Sequence, residues 1–213
     1  MKALVTGFDP FGGDTVNPAL EALARLKPAL GPLTIVTRAI PTVFGRALEV
    51  LEQALDETRP DLVLAVGQAG GRAALSLERV AINIDDARIG DNDGNRPIDQ
   101  PVVAGGPAAY FATLPIKAAV QALRNAGLPA IVSNTAGTFV CNHLFYGLMH
   151  QAALRGSGLR AGFLHIPYLP QQALRDPGAP SMAIEHIVQG IEIILAVAAE
   201  RDQDLALAEG TLS

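Results

Sequence analysis

Runs such as DLVLAV (61–66) present apolar side chains on both alternating faces, and this limits the fold more than any other feature of the chain. A strand of that kind must be covered on both sides, which a mostly parallel sheet between helical layers achieves. The apolar runs alternate with helical patterns along the sequence. KALVT (2–6), 33–40, 61–66, 129–132 and 161–166 read as strands, and ALSLERVAINI (74–84) as an extended segment. Asn17-Pro18 opens a helix, with asparagine as cap and proline in the first turn. Helical periodicity continues at 43–58, 114–125, 138–154 and 181–200. The stretch 85–106 is too rich in Asp, Asn, Gly and Pro to be regular. The expected fold is α/β: one domain over residues 1–213, a three-layer α/β/α sandwich with a mostly parallel twisted sheet. Ligands of such sheets bind beyond the carboxyl ends of the strands. That points to GFDPFGG, GQAGGR, SNTAGTF and HIPYLPQQ.

Composition narrows the function. A net charge of −5 without a long basic run argues against nucleic acid or an anionic membrane as partner. Only about five residues precede the first glycine, too few for the apolar core of a signal peptide. IEIILAVAAE (191–200) falls short of the ~20 apolar residues of a membrane span. A single cysteine cannot form an internal disulfide, which suits a reducing cytoplasm. The last dozen residues are expected to fray.

That cysteine, Cys141, is explained most simply by packing, because free cysteine is often buried. Its setting offers another explanation. It follows a strand, a small-residue turn and a candidate cap at Thr138, which places it in the first turn of a helix. Free N–H groups and the helix dipole there favour a thiolate and a lowered thiol pKa. A nucleophile needs a base. His143 lies about 200° round the helix and His150 about 180° round, so both face away from Cys141; His186 reads as a surface residue. His165 ends the strand GFLHIP, and a right-handed crossover between successive parallel strands would bring it to the same sheet edge. A core histidine bonded to backbone explains His165 equally well. Glu78, on a face shared with Ser76, Val80 and Ile82, could orient an imidazole. A surface strand remains the other reading. Asp85, Asp86, Asp91 and Asp93 read as loop formers.

Other chemistries lack their residues. GFDPFGG has neither GxGxxG spacing nor a GK[ST] ending. GDNDGN puts Ile89 and Gln100 where a calcium loop needs carboxylates. One cysteine with scattered histidines makes no zinc pattern. No metal and no cofactor is expected.

Four segments together resemble the pyroglutamyl peptidase I family, the pyrrolidone carboxyl peptidases. They are GFDPFGG…NPA, GQAGGRAALSLERVAINIDDARIGDNDG, SNTAGTFVCN and GFLHIPYLPQQ, in family order from about residue 2 to 190. Gly90 departs from a bulkier residue or proline in several relatives, without touching the chemistry. The resemblance implies a cysteine omega-peptidase that removes an N-terminal pyroglutamyl residue. Cys141 would be its nucleophile, His165 the general base and acid, and Glu78 the orienting carboxylate. It also implies Arg88 as an oxyanion donor beside the Cys141 N–H, and Phe8 and Phe11 as contacts to the lactam ring. Gln68 could help position that ring. The alternative for Arg88 is a loop ion pair with Asp85 or Asp91; for the phenylalanines it is plugs beneath their loop. Bacterial relatives imply a homo-oligomer, a tetramer. Two other functions stay open: a nucleoside phosphorylase or hydrolase, for which no phosphate loop is visible, and a thiol redox sensor, which would not need His165 or Glu78.

Overall fold

The computed structural model describes residues 1–156 and 158–210. In chain order its elements are β1 (Lys2–Phe8), α1 (Pro18–Leu23), β2 (Ala29–Leu30), β3 (Leu33–Ile40), α2 (Arg46–Thr58), β4 (Leu62–Gln68), β5 (Leu75–Glu78), β6 (Val80–Ile82), β7 (Ala109–Phe111), α3 (Ile116–Asn125), β8 (Ala130–Ser133), α4 (Val140–Arg155), β9 (Arg160–Ile166), α5 (Pro170–Ala173) and α6 (Ile184–Glu200). Seven strands form the central sheet in the order β2-β3-β1-β4-β9-β5-β8; β6 and β7 make a separate ribbon. The pairs β1·β3, β1·β4, β4·β9 and β5·β8 are parallel, and β2·β3 and β5·β9 are antiparallel.

Strand alternation builds the two cores. Leu62, Leu64 and Val66 of β4 join α1, α3 and α6 on one face, while Val63 and Ala65 join α2 and α4 on the other. All seven residues of β4 are buried, so neither face of the strand tolerates a charge. This is the expected three-layer α/β/α arrangement.

Four local expectations change. The extended 74–84 segment is split: β5 enters the main sheet and β6 leaves it for β7. Thr138 does not cap α4; its hydroxyl donates to the Asp86 carbonyl at 2.8 Å, and Phe139 takes the cap position with no side-chain cap bond. The crossover expected between the last two strands is absent. β8 runs parallel to β5 and β5 antiparallel to β9, so β8 and β9 point in opposite directions. Residues 134–139 must therefore turn back over the sheet to deliver α4 to the site.

The fourth change concerns the tail, which is strapped down as far as Gly210. The Asp204 carboxylate accepts the N–H groups of Lys117 and Ala118 at 2.9–3.0 Å. It thus caps α3, whose own cap residue, Pro115, offers no side-chain acceptor. Arg124 holds Glu209 through two hydrogen bonds, and Arg79 donates to the Glu209 carbonyl. Losing a cap of this kind costs about 1 kcal/mol. Asp204→Ala should therefore lower the melting temperature by ~2–4 °C in a chain of this size. An unchanged melting temperature in calorimetry would show that the tail does not cap α3.

Candidate active site

Glu78 is the last residue of β5 and has no exposure to solvent. The antiparallel register sets Ser76 opposite His165 and Glu78 opposite Phe163, so all four side chains emerge on the α2/α4 face. From there Glu78 Oε1 lies 2.7 Å from His165 Nδ1. The same oxygen accepts a 2.6 Å bond from the Arg72 guanidinium, which also donates to the Thr135 carbonyl at 2.9 Å. Arg72 thus ties the loop after β4 to the turn before α4. Its partnership with Glu78 is the feature that sequence reading missed. The available signal was a carboxylate on an apolar face, which demands a counter-charge.

Cys141 sits in the first turn of α4 and is half-buried. Its sulfur rests on the backbone of Gly67: a Cβ placed on Gly67 would lie 3.0 Å from Sγ and 2.8 Å from the Phe163 ring. Gly67 is the β4 residue in register with His165 on β9. Adjacent strands are ~4.8 Å apart, so the thiol stands one strand from the imidazole. Cys141, His165 and Glu78 are therefore assembled on one sheet face, although the crossover geometry invoked for them does not exist.

Burial pushes the Cys141 thiol up to about 12, with the Glu78 charge adding to the rise and Arg72 opposing it. Burial likewise lowers the His165 pKa from 6.5; the bond and charge of Glu78 pull it upward but do not prevail. Both causes favour the uncharged partners, a thiol beside a neutral imidazole. The direction is opposite to the lowered thiol pKa expected at a helix start, and desolvation of the sulfur is its largest cause.

The Cys141 backbone N–H makes no hydrogen bond among the described residues, and α4 has no side-chain cap. It remains available to a developing oxyanion. Arg88 is exposed and pairs with neither Asp85 nor Asp91. Two residues before it, Asp86 donates its N–H to the Thr138 carbonyl at 2.9 Å, which holds the Arg88 segment beside the start of α4.

The aromatic residues divide. Phe11 is half-buried and packs on Phe139, with ring centroids 6.1 Å apart, and Phe44 stands edge-on to Phe139 at 5.5 Å. This cluster immediately precedes Cys141 in space and sequence. Phe8 is 2% exposed and packs on Phe163, so it forms the floor of the site rather than a contact surface. Gln68 is not brought to the thiol. By strand alternation it shares the α1/α6 face with Val66, where Gln172 Nε2 donates to its Oε1 at 2.9 Å. The cleft on that side, about 460 Å³, is lined by Asp14, Gln172 and Arg175 and lies across the sheet from the sulfur.

The remaining histidines are occupied or remote. His143 Nε2 accepts the Gly45 N–H at 2.9 Å, and its Nδ1 pairs with Asp85 at 2.8 Å. His150 Nδ1 bonds the Tyr110 hydroxyl at 2.8 Å, and His186 is exposed. Asp85 and Asp91, expected as loop formers, are buried acceptors: Asp91 takes N–H groups from Phe44, Asp93 and Asn95. No group of three or more metal-ligating side chains occurs among the described residues.

Known proteins resemble this chain over nearly its whole length. The family described as Pyroglutamyl peptidase matches residues 1–201. The chain is 58% identical to pyrrolidone-carboxylate peptidase 1 of Ralstonia nicotianae over 98% of both chains, and 55% identical to the pyrrolidone-carboxylate peptidase of Erwinia tasmaniensis at the same coverage. The crystal structure of pyroglutamyl peptidase I from Bacillus amyloliquefaciens superimposes with a TM-score of 0.95 at 50% identity, covering 97% of this chain and 99% of that one. With a family match and full-length relatives above half identity converging on one description, the chain belongs to the pyroglutamyl peptidase family.

Proposed function

We propose that this chain hydrolyses the amide bond that follows an N-terminal pyroglutamyl residue, using Cys141, His165 and Glu78. The observation that carries the reading is the Arg72–Glu78–His165 relay on the sheet face where the one thiol of the chain rests, against Gly67, the register partner of His165. With Nδ1 engaged by Glu78, Nε2 is the nitrogen left to exchange a proton with the sulfur. As Cys141 Sγ attacks the pyroglutamyl carbonyl, Nε2 takes the thiol proton; the imidazolium then gives it to the departing amine. Water, activated by the same nitrogen, releases pyroglutamate from the thioester. The Cys141 N–H and Arg88 are the proposed oxyanion donors, and Phe11, Phe44 and Phe139 the apolar seat for a flat, uncharged lactam. A redox sensor would not need a buried carboxylate behind its histidine, and a phosphorylase would need a phosphate loop that the chain lacks.

The same proposal covers one α/β domain working in a reducing cytoplasm; no helix among the described residues is long and apolar enough to cross a membrane. It includes a homo-oligomer, supported by Phe111 at 70% and Leu174 at 81% exposure.

The first test is hydrolysis of a pyroglutamyl fluorogenic amide beside its proline and glutamine counterparts. Turnover of the pyroglutamyl compound alone, abolished by Cys141→Ser, is the expected result. A folded wild type without turnover would defeat the proposal. The pH profile follows from a neutral resting pair. His165 must be unprotonated to accept the thiol proton, so kcat/KM should fall with acid only as His165 titrates, at a midpoint below 6.5. An acid midpoint above 6.5 would contradict a lowered His165 pKa. Arg72→Met leaves Glu78 a buried charge without its cation. It should lower kcat by about 10- to 100-fold, part of the ~10²–10⁴ that acid–base catalysis supplies, with KM little changed. Full activity in that variant would remove Arg72 from the relay.

A further inference from the structure

A second histidine–carboxylate pair lies beside the first, and its wiring differs at one atom. His143 and Asp85 are each at most 5% exposed. A backbone amide can only donate, so the 2.9 Å bond from the Gly45 N–H requires a lone pair on His143 Nε2. The ring proton is then on Nδ1, which donates to Asp85 Oδ2 at 2.8 Å. Both nitrogens are committed, so His143 has no atom left for proton transfer with substrate. It holds the corner between β3 and α2 instead. Gly45 caps α2 with a φ of 71°, a conformation that favours glycine, and no side chain caps that helix. The preceding residue, Phe44, sets its ring edge-on to His143 at 5.2 Å and to Phe139 at 5.5 Å. Its N–H is held by Asp91 at 2.8 Å. Asp85 is anchored in turn by two backbone bonds with Gln100, at 2.7 and 3.0 Å.

We propose that His143 is a positioning residue for the lactam: through Gly45 and Phe44 it sets the aromatic wall formed with Phe139 and Phe11. This rests on the peptidase reading above and deepens it. Without the acceptor at Nε2 the Gly45 N–H would lose its partner, release the corner and loosen the seat.

Two variants test this. His143→Leu keeps bulk without either bond; His143→Gln can accept the Gly45 N–H on its oxygen and turn its amide N–H toward Asp85. Kinetics on a pyroglutamyl amide would be paired with calorimetric binding of pyroglutamyl-alanine to Cys141→Ala protein. The leucine variant should raise KM and Kd about 10-fold, the scale of losing such a hydrogen-bonded support, with kcat changed less than about 3-fold. The glutamine variant should restore most of that affinity. A leucine variant with lower kcat and melting temperature but unchanged KM would reduce His143 to structural support. A folded glutamine variant whose KM and Kd are as high as those expected of the leucine variant would also overturn the proposal, and decides it alone if the leucine variant does not fold. Absence of pyroglutamyl turnover in the wild type would defeat the peptidase reading itself, whereas active wild type with unaltered affinity in both variants would defeat only this inference.

Discussion

One fully buried carboxylate governs the arrangement of the active face. Glu78 has no contact with solvent, and one of its oxygens serves both Arg72 and His165. An ionised carboxylate in that position is tolerable only with a cation and hydrogen-bond donors beside it. Satisfying it brings together three otherwise separate parts of the chain: the loop after β4, the end of β5 and the middle of the sheet at β9. The guanidinium continues to the Thr135 carbonyl, so the turn leading to Cys141 is drawn into the same cluster. The orienting group of the relay is therefore also the point at which its loops are joined.

The two histidine–carboxylate pairs differ in what is left free for proton transfer. Their Nδ1–carboxylate distances, 2.7 and 2.8 Å, are nearly equal, and both rings are buried. The difference is at Nε2. In His143 it is consumed by the Gly45 N–H, whereas in His165 no protein group hydrogen-bonds it among the described residues. A search for histidines near carboxylates would find both. Accounting for the second nitrogen separates the proposed base from the proposed support.

How much of this was legible in the sequence varied with the range of the interaction. The periodicity of 33–40 gave β3 its boundaries, and Asn17-Pro18 gave α1 its start, because both signals are local. Cys141, His165 and Glu78 could be nominated because their residue types are costly or unusual on apolar elements. The direction of β8 could not be read: an apolar run of four residues looks the same whichever way it enters a sheet, and β5 reverses between β9 and β8. Arg72, Asp204 and the Asp85–His143 pair were hidden for a different reason. In each case one partner lies in a loop or tail with no periodicity, and only the fold supplies the distance to the other. Gln68 misled because GQAGGR follows the right strand but alternation sends its side chain to the other face.

The protonation state of the site also bears on what the lone cysteine is for. A redox-sensing thiol needs thiolate character and access to oxidant. Cys141 is half-buried against Gly67 and Phe163, and its thiol pKa is pushed up to about 12. Both features retard oxidation, so a sensor would be poorly served by this seat. The proposed hydrolase is served well. In that mechanism the proton leaves sulfur when a carbonyl is in place to be attacked, and an imidazolium formed at His165 would lie 2.7 Å from a carboxylate that stabilises it. The desolvation that raises the thiol pKa is thus offset during attack, by charges already fixed in the fold and absent from any encounter with solvent alone.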